Sequence, residues 1–501
     1  MKRISLLIFG LLIIVGSFAQ SQKIKPSKNC YKPIENSNPI SPVLFCADPT
    51  GIVYNDRLYV YGTNDHQQYQ FAGLNGKNTY DKIKSLVVFS TADMVNWRFE
   101  GYINVKDVAP WTINSWAPSI CSRVEDDGET HFYLYYSNNG CGVGVITATN
   151  PVGPWFDPRG SALIMAGDST VGDVPNPFDP GVCIDIDAIG WLAFGGGKSK
   201  NGTDAMPGTA RIARLGKDMI SLDTVVEIKA PYFYEASEMN YLRDGIYMYT
   251  YNTSWTPRTE WNYKIGPEPS QCSMAYMTTQ TPLVTDSWKY GGHYFPNPGD
   301  MGLCYSNNHT HFMNYKGHRY LFYHTLGLQF AMMNTTENLT FRSICVDRMD
   351  DAKISMVKGT KKGVSSPIET HRRDGIQGTT MATCADIEFE EKDGEYVSKS
   401  TAKGAWLLVK QVQMEEEHDK KYGDIFNCSA SGKGIIEVRL DKLKSKPILQ
   451  IKIDSDDIKD YYFELPDGVC TETRDVYVLF SNKDMYLKKW GFYFFEPENY
   501  E

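Results

Sequence analysis

The sequence predicts an all-β protein, a five-bladed β-propeller followed by a β-sandwich. Three observations support this fold class. Helical periodicity is scarce, and short apolar or aromatic strands bounded by Gly, Asn, Asp and Pro dominate from about residue 40 to 355. One kind of hairpin recurs five times along that stretch. After about Lys358 the strands lose the hairpin pattern, which indicates a second domain.

The recurring hairpin is a strand, a polar turn and an aromatic-rich strand. It occurs as "GIVYNDRLYVYGT", "SICSRVEDDGETHFYLYYSNN", "GVCIDIDAIGWLAFGGG", "MNYLRDGIYMYTYNTS" and "HFMNYKGHRYLFYHT". The reference residues Tyr61, Tyr135, Ala193, Tyr249 and Phe322 are 74, 58, 56 and 73 residues apart. This spacing leaves room for about four strands per repeat and favours radial repetition in a propeller. A long double-sheet sandwich is the structural alternative.

The chain begins "MKRISLLIFGLLIIVGSFAQSQ", with a basic start, a short apolar run and a small-x-small site. This pattern predicts a secretory signal peptide over residues 1–19, and hence a secreted or periplasmic protein. A single uncleaved anchor is the alternative. No later segment is long and apolar enough to suggest a membrane span.

Two domains are predicted after the signal peptide. The propeller is expected over residues 37–357, and the linker-like run "KGTKKGVSSP" follows it. Residues 361–501 contain separate strands such as "GAWLLVKQVQM", "GIIEVRLD" and "WGFYFFE", which fit an antiparallel β-sandwich.

Charge and cysteine usage exclude several classes of partner. The net charge of -9 argues against nucleic acid or anionic lipid. The 11 cysteines include no CxxC pair, which argues against a zinc site. Export would permit disulfides, but the odd count leaves at least one thiol free and no pairing is predicted.

Each hairpin begins with a residue suited to chemistry. Upstream of the five reference residues lie Asp48, Trp116, Asp179, Glu235 and His309, at separations of 13, 19, 14, 14 and 13 residues. The innermost strand of a propeller blade lines the central channel, so its start points into one mouth. Any one of these could be a local turn residue, because Asp-Pro commonly opens a turn. Five at comparable positions indicate convergence on one site.

Three carboxylates beside aromatic side chains suggest glycoside hydrolysis. One carboxylate can deprotonate water, one carboxylic acid can protonate the leaving oxygen, and the third can raise the pKa of the acid by like-charge repulsion. Trp116 would offer a flat apolar face to a sugar ring. A cation site is the competing use of Asp, Glu and His, but no ligand-loop spacing supports it.

The motifs around these residues resemble glycoside hydrolase family 43. "ADPTGIVYNDRLYVYGTND", "LVVFSTADMVNW", "SWAPSI" and "GVGVITATNPVGPWFDPRGSALI" resemble its first two blades. "FDPGVCIDIDAIGWLAFGGG", "FYEASEMNYLRDGIYMYTY", "NNHTHFMNYKGHRYLFYHT" and "FRSICVDRM" resemble the other three, in the family order. The resemblance covers about residues 40 to 355. It implies a five-bladed propeller and an inverting hydrolase that needs no cofactor for its chemistry.

The resemblance also implies roles for individual residues. Asp48 matches the general base, Asp179 the carboxylate that orients the acid and raises its pKa, and Glu235 the general acid. Trp116 and Arg342 match residues near the sugar. His309 matches a channel histidine that in many members lies beside calcium or water, so it is both a candidate substrate contact and a candidate metal ligand. Glu238 is a rival for the acid.

The C-terminal segment resembles a family 6 carbohydrate-binding module through "SGKGIIEVRLD" and "VYVLFSNKDMYLKKWGFYFFE". "DYYFELPDG" stands where such modules often have a tryptophan. Two expectations therefore stay open for this domain, namely sugar binding and a purely structural role.

The resemblance implies an exo-acting hydrolase that removes α-L-arabinofuranosyl groups from plant polysaccharide side chains or oligosaccharides. β-D-Xylosidase activity is the nearest alternative, followed by arabinan or galactan backbone cleavage. A non-catalytic sugar-binding propeller is the alternative from another class. The expected partner is a carbohydrate substrate, an arabinose- or xylose-containing glycan.

Overall fold

The computed structural model describes residues 24–258, 261, 265–350, 353–414, 423–466 and 468–495. Backbone contacts divide the chain into two compact units. The larger contains residues 30–369 and 380–384, and the smaller contains residues up to 29, 370–379 and 385 onward. The predicted signal peptide lies outside the described residues. None of the described helices is long and apolar enough to cross a membrane.

The larger unit is a five-bladed β-propeller, as predicted. Blade one contains β1 (Ala47–Tyr54), β2 (Arg57–Thr63), β3 (Leu86–Thr91) and β4 (Trp97–Ile103). Blade two contains β5 (Trp116–Val124), β6 (Thr130–Ser137), β7 (Gly142–Ala148) and β8 (Ile164–Met165). Blade three contains β9 (Gly181–Ile184), β10 (Gly190–Phe194), β11 (Arg211–Leu215) and β12 (Leu222–Glu227). Blade four contains β13 (Phe233–Tyr241), β14 (Tyr247–Thr253), β15 (Met274–Thr279) and β16 (Lys289–Phe295). Blade five contains β17 (Thr310–Tyr315), β18 (His318–Thr325) and β19 (Ser343–Arg348).

The five predicted hairpins are the first two strands of each blade. Each reference residue lies in the second strand, from Tyr61 in β2 to Phe322 in β18. In blade one the turn residues Asn55 and Asp56 have φ values of 48° and 60°. Positive φ at both central residues is the signature of a type I′ turn, whose twist matches the flanking strands. The local sequence therefore determines this hairpin.

The segment before β1 closes the ring of blades. Along β19, the N–H of Ile40 donates to the carbonyl of Ile344 (2.8 Å) and the N–H of Cys46 donates to the carbonyl of Arg342 (2.9 Å). The first described part of the propeller thus supplies the outer partner of blade five. This pairing joins both ends of the propeller chain to one blade.

Apolar side chains fill the space between neighbouring blades. Between blades one and two the buried cluster includes Tyr61, Leu86, Phe132 and Leu134. Similar clusters lie between the second and third, third and fourth, and fourth and fifth blades. Burial of such surface contributes about 25 cal/mol per Å². The strand starts are therefore held on a packed ring.

Among the described residues, three helices lie in loops of the propeller: α1 (Asp65–Ala72), α2 (Val105–Val108) and α3 (Gly327–Met333). Helix α1 follows β2 directly, and the side chain of Asn64 caps it by accepting the Gln67 N–H (3.1 Å). Asp65 in the first turn is favourably placed against the helix dipole. The cap thus fixes Asp65 at the end of an inner hairpin. Short 3₁₀ helices span Asn139–Cys141, Thr285–Ser287 and Pro298–Met301.

After the fifth blade the chain forms β20 (Ile376–Gln377), β21 (Thr380–Met381) and β22 (Thr383–Ala385). β21 joins the outer edge of blade one beside β4. The smaller unit contains β23 (Ile387–Lys392), β24 (Glu395–Ser400), β25 (Trp406–Gln413), β26 (Gly423–Leu440), β27 (Pro447–Glu464), β28 (Thr473–Phe480) and β29 (Tyr486–Phe495).

The smaller unit is the predicted β-sandwich. The first part of β26 pairs with β29 and its last part pairs with β28, while β27 follows β26 along most of its length. Between these two parts Gly432 has a φ of 104° and lies against the carbonyl of Asp484. A side chain there would clash, so glycine allows the strand to bend. Trp406 and Trp490 are fully buried. The family 6 likeness of this unit stays a prediction.

All 11 cysteines of the chain lie in the described residues, and none of them forms a disulfide there. Each unit is therefore stabilised by its own internal packing and not by disulfides.

Candidate active site

The first strands of the five blades surround the central channel. Polar bonds join them from blade to blade. The Thr50 hydroxyl accepts the Ile120 N–H (3.3 Å), and the Ser119 hydroxyl accepts the Val182 N–H (2.9 Å). These bonds satisfy buried backbone donors at the blade junctions. The starts of β1, β5 and β9 are thereby held side by side.

The chain is strained where these strands begin. Asp48, Ala117, Asp179 and Ala236 all have φ between 39° and 56°. The strand ladder is interrupted around three of these residues, between Ala47 and Thr50, between Trp116 and Ser119, and between Glu235 and Glu238. Left-handed conformations of residues other than glycine cost about 1–3 kcal/mol and concentrate at functional sites. Bulges of this kind redirect side chains.

The bulges bring side chains to the mouth in two ways. Asp48 and Asp179 are themselves left-handed residues. Trp116 and Glu235 each stand one position before a left-handed alanine, Ala117 or Ala236. The residues that the sequence selected therefore belong to two backbone positions rather than one.

Asp48 is buried and surrounded by donors. The Thr63 hydroxyl donates to Oδ2 (2.7 Å), and Nη1 of Arg342 donates to Oδ1 (2.9 Å). His324 Nδ1 lies 3.2 Å from the backbone nitrogen of Asp48 and 3.3 Å from its Oδ1, and His324 Nε2 faces the Asn307 carbonyl (2.8 Å). Burial alone would raise the pKa of Asp48, but the Arg342 guanidinium, together with the neighbouring His324 and His309, outweighs it and holds that pKa well below its usual range. Asp48 is therefore ionised.

Arg342 lies behind Asp48 and is also buried. Its Nε and Nη2 donate to the two oxygens of Asp65 at 2.9 Å each, while Nη1 reaches Asp48. A fork of parallel donors matches a carboxylate well. Burial would lower the pKa of Arg342, but the two carboxylates raise it well above its usual value. One guanidinium thus links blade five to two acidic side chains of blade one.

Asp179 has no arginine of this kind beside it. The Ser137 hydroxyl donates to Oδ1 (3.1 Å), and the Ala236 N–H donates to Oδ2 (2.9 Å). These bonds favour the charged form, yet burial and the nearby charge of Asp48 raise the pKa of Asp179 above its usual range. The bond to Ala236 connects blade three to the bulge that bears Glu235.

Glu235 is half-buried at the same mouth. Burial raises the pKa of its carboxyl first, and the charges of Asp179 and Asp48 raise it further. Arg342 and a hydrogen bond with Asn307 oppose the rise without cancelling it. Glu235 thus keeps its proton near neutral pH, while Asp48 does not.

Aromatic side chains border the carboxylates. Trp116 is half-buried, and its Nε1 donates to the carbonyl of Tyr80 (3.2 Å). The rings of Tyr80 and Trp116 meet edge to face at 5.9 Å, and Arg342 lies over the Tyr80 ring at 5.1 Å. Trp116 therefore lies beside the Asp48–Arg342 pair, although blade two carries it.

His309 is buried, with Nδ1 3.7 Å from Oδ1 of Asp48. Burial lowers the pKa of His309 to about 4, so the ring is neutral. Calcium takes six to eight oxygen ligands. The carboxylate beside His309 is already bound to Arg342, and no group of three or more His, Cys, Asp or Glu in the described ranges could hold a metal ion. These donors do not fit a protein-built calcium site.

Glu238 occupies a different environment from Glu235. It is buried and bonded to Nδ1 of His311, between blades four and five. Its Oε2 and the Nε2 of His311 have no hydrogen-bond partner in the part of the chain that the structure describes. Neither Asp48 nor Asp179 contacts this pair.

The sequence analysis did not identify several residues of the site, namely Thr63, Asp65, Tyr80, Ser137, Asn307 and His324. A signal existed for three of them, since Thr63, Ser137 and His324 each lie two residues after the aromatic reference residue of their blade. Tyr80 and Asn307 lie in loops and Asp65 begins the short helix α1, so the strand periodicity carries no information about them.

Comparisons with known proteins identify relatives of this chain. An arabinoxylan arabinofuranohydrolase of Paenibacillus polymyxa is 28% identical over 94% of this chain and 77% of the relative. One of Bacillus subtilis is 29% identical over 91% of each chain. A crystal structure of a glycoside hydrolase family 43 arabinoxylan arabinofuranohydrolase from Bacillus subtilis, in complex with cellotetraose, superimposes with a TM-score of 0.82. It is 28% identical and covers 93% of this chain and 99% of that one. The sequence pattern of glycosyl hydrolases family 43 matches residues 36–352, and the chain belongs to that family.

Proposed function

We propose that this protein is an inverting, exo-acting α-L-arabinofuranosidase that removes arabinofuranosyl side groups from xylan or its oligosaccharides. The observation that carries the proposal is the opposite protonation of Asp48 and Glu235 at one channel mouth. An inverting hydrolase needs an ionised base and a protonated acid at the same pH. The names of the Paenibacillus and Bacillus relatives support the choice of sugar.

In the proposed reaction Asp48 takes a proton from a water molecule while the oxygen of that water attacks the anomeric carbon. Glu235 gives its proton to the glycosidic oxygen as the bond from that oxygen to the anomeric carbon breaks. Asp179 orients Glu235 through the Ala236 N–H and keeps its pKa high by charge repulsion. Trp116 supplies an apolar face for the sugar. These steps use no metal ion.

The decisive experiment is a product assay on wheat arabinoxylan and on 4-nitrophenyl glycosides. The parent protein should release arabinose, and proton NMR of the first turnovers should show the β-anomer from an α-linked substrate. Faster release of xylose than of arabinose would favour β-D-xylosidase activity. Binding of the polysaccharide without release of any sugar would favour the non-catalytic propeller.

Export to the periplasm or the medium is part of the proposal and rests on the pattern of residues 1–19. The mass of the mature protein from a bacterial host should correspond to cleavage after Ala19. Retention of the full chain in the membrane fraction would favour the anchor.

A further inference from the structure

Tyr80 lies in the loop between β2 and β3 of blade one, and its backbone is strained. Its φ is 63°, which is uncommon for a bulky side chain. Such conformations persist only where surrounding structure enforces them, often at ligand contacts.

Four hydrogen bonds enforce the conformation of Tyr80. Its N–H donates to Oδ1 of Asn78 (3.2 Å). Its carbonyl accepts from the N–H of Ile83 (3.2 Å), from Nδ2 of Asn114 (3.1 Å) and from Nε1 of Trp116 (3.2 Å). The loop therefore presents this side chain in one fixed direction.

That direction is toward the carboxylates. The ring lies between the Arg342 guanidinium and the edge of Trp116, and the residue is half-buried. Arg342 lowers the pKa of the phenol, but burial and the charges of Asp65, Asp48 and Glu235 outweigh it and raise that pKa. The phenol is a hydrogen-bond donor, and within the described ranges it has no protein partner.

Tyr232 has a similar backbone conformation and similar neighbours to Tyr80, but it does not reach the site. Its φ is 51°, Arg258 lies over its ring at 4.1 Å, and Trp261 stacks on it at 6.2 Å. Tyr232 is fully buried, whereas Tyr80 is not. A strained backbone with an arginine and a tryptophan beside the ring is therefore not sufficient to indicate a ligand contact. Tyr80 differs from Tyr232 because it is only half-buried and lies beside the carboxylates.

We propose that Tyr80 is a substrate-binding residue whose phenol donates a hydrogen bond to a hydroxyl of the sugar held between Asp48 and Glu235. Together with Trp116 it forms a wall of the sugar pocket. This inference rests on the proposed function, because it needs a sugar in that position.

The test compares the parent with Tyr80→Phe and the matched control Tyr232→Phe. The kcat and KM values are measured on 4-nitrophenyl α-L-arabinofuranoside, on its 2-, 3- and 5-deoxy analogues, and on 4-nitrophenyl β-D-xylopyranoside. Tyr80→Phe should lower kcat/KM on the better unmodified glycoside about tenfold, the usual effect of one lost hydrogen bond. It should cost nothing further on the one analogue that lacks the contacted hydroxyl. Tyr232→Phe should stay within about twofold of the parent on all substrates.

Two results would overturn the inference. One is a kcat/KM of Tyr80→Phe within twofold of an active parent on both sugars. The other is an equal loss on every deoxy analogue, which a general disturbance of the loop would cause. A parent that cleaves no glycoside would instead refute the proposed function and this inference with it. The melting temperature of Tyr80→Phe shows whether the loop stays folded.

Discussion

The site has two halves that use the same residue types to opposite effect. In the base half, Asp48 shares Arg342 with Asp65 and is ionised. In the acid half, Asp179 and Glu235 also lie near negative charge, but no guanidinium among the described residues is bonded to them, and the pKa of each is raised. All three carboxylates stand at strand starts of one channel.

The difference between the halves shows that the charged and hydrogen-bonding neighbours of each carboxyl group, and not its burial, determine whether it is ionised. Burial acts in the same direction on all three, since it disfavours the charged form. At Asp48 only, the shared guanidinium and the neighbouring His324 and His309 together reverse its effect. Because Arg342 comes from the last blade, the base is completed only when the ring of blades closes.

The largest expected effect is on kcat/KM, and its dependence on the leaving group of the substrate should distinguish the two halves. Asp48→Asn should lower kcat/KM about 10³-fold on every substrate, because it removes the base. Glu235→Gln should lose as much on arabinoxylan but much less on a 4-nitrophenyl glycoside, whose leaving group needs no proton. Rates on both substrates check this.

Glu238→Gln is the matched control for that prediction. It changes a carboxyl three residues away that bonds to His311 and should keep the dependence on leaving group of the parent. A loss that depends on the leaving group in Glu238→Gln and not in Glu235→Gln would make Glu238 the acid.

The second prediction removes the shared cation. Arg342→Met should destabilise the protein by about 3–5 kcal/mol, because it leaves Asp48 and Asp65 buried without their partner. It should also raise the pKa of Asp48 and move the acidic limb of the kcat/KM profile upward. Urea unfolding and the pH–rate profile measure both effects. An unchanged acidic limb in folded Arg342→Met would contradict the assignment of Asp48.

The third prediction concerns how the carboxyl groups of the two halves make the stability of the protein depend on pH. In the unfolded chain the Glu235 carboxyl loses its proton near its ordinary pKa of 4.5, whereas in the folded protein it keeps it up to a pKa of about 8. The folded state therefore binds the extra proton between these values, and the contribution of Glu235 to stability falls as pH rises through that range. Glu235→Gln should melt roughly 2–4 °C above the parent at pH 8 and close to it at pH 5.

Asp48→Asn is the comparison for that measurement. The pKa of Asp48 is depressed, so its contribution to stability is present above its unfolded pKa and lost in acid. Asp48→Asn should therefore melt below the parent at pH 5 and at pH 8 alike. Stabilisation of both variants at pH 8 would mean that the halves do not differ.

The sequence predicted the scaffold better than it predicted the site. Five aromatic hairpins were sufficient to count the blades, because each blade repeats one local pattern, and Tyr61 to Phe322 all lie in second strands. The strand starts at Asp48, Asp179 and Glu235 followed from that count. The family resemblance, which the family match confirms, added Arg342.

What the sequence could not predict depends on contacts between distant residues. Asp65 and Arg342 are 277 positions apart, so nothing local indicates that they pair. The left-handed φ of Asp48 and the one-residue offset of Glu235 depend on bulges that a count of spacings does not detect. Tyr80 lies in a loop that has no periodicity, and only the hydrogen bonds to its backbone reveal how it is held.

The smallest expected effect concerns the hydroxyl that serves each half. Thr63 donates to Asp48 and accepts the Ala117 N–H (2.7 Å), while Ser137 donates to Asp179 and accepts the N–H of that residue (2.8 Å). Thr63→Val and Ser137→Ala should each cost about 1–2 kcal/mol of unfolding free energy, because each leaves a buried N–H without an acceptor.

The two variants should differ in the pH–rate profile. Thr63→Val removes a donor from an ionised carboxylate and should raise the pKa of Asp48, which moves the acidic limb upward. Ser137→Ala should raise the pKa of Asp179, keep Asp179 protonated to higher pH, and weaken its repulsion of Glu235, so that the alkaline limb moves downward. Both limbs are read from kcat/KM measured from pH 10 down to the lowest pH at which each variant stays folded. Movement of the same limb in both variants would show that the two carboxylates titrate as one group rather than as a base and a separate acid pair.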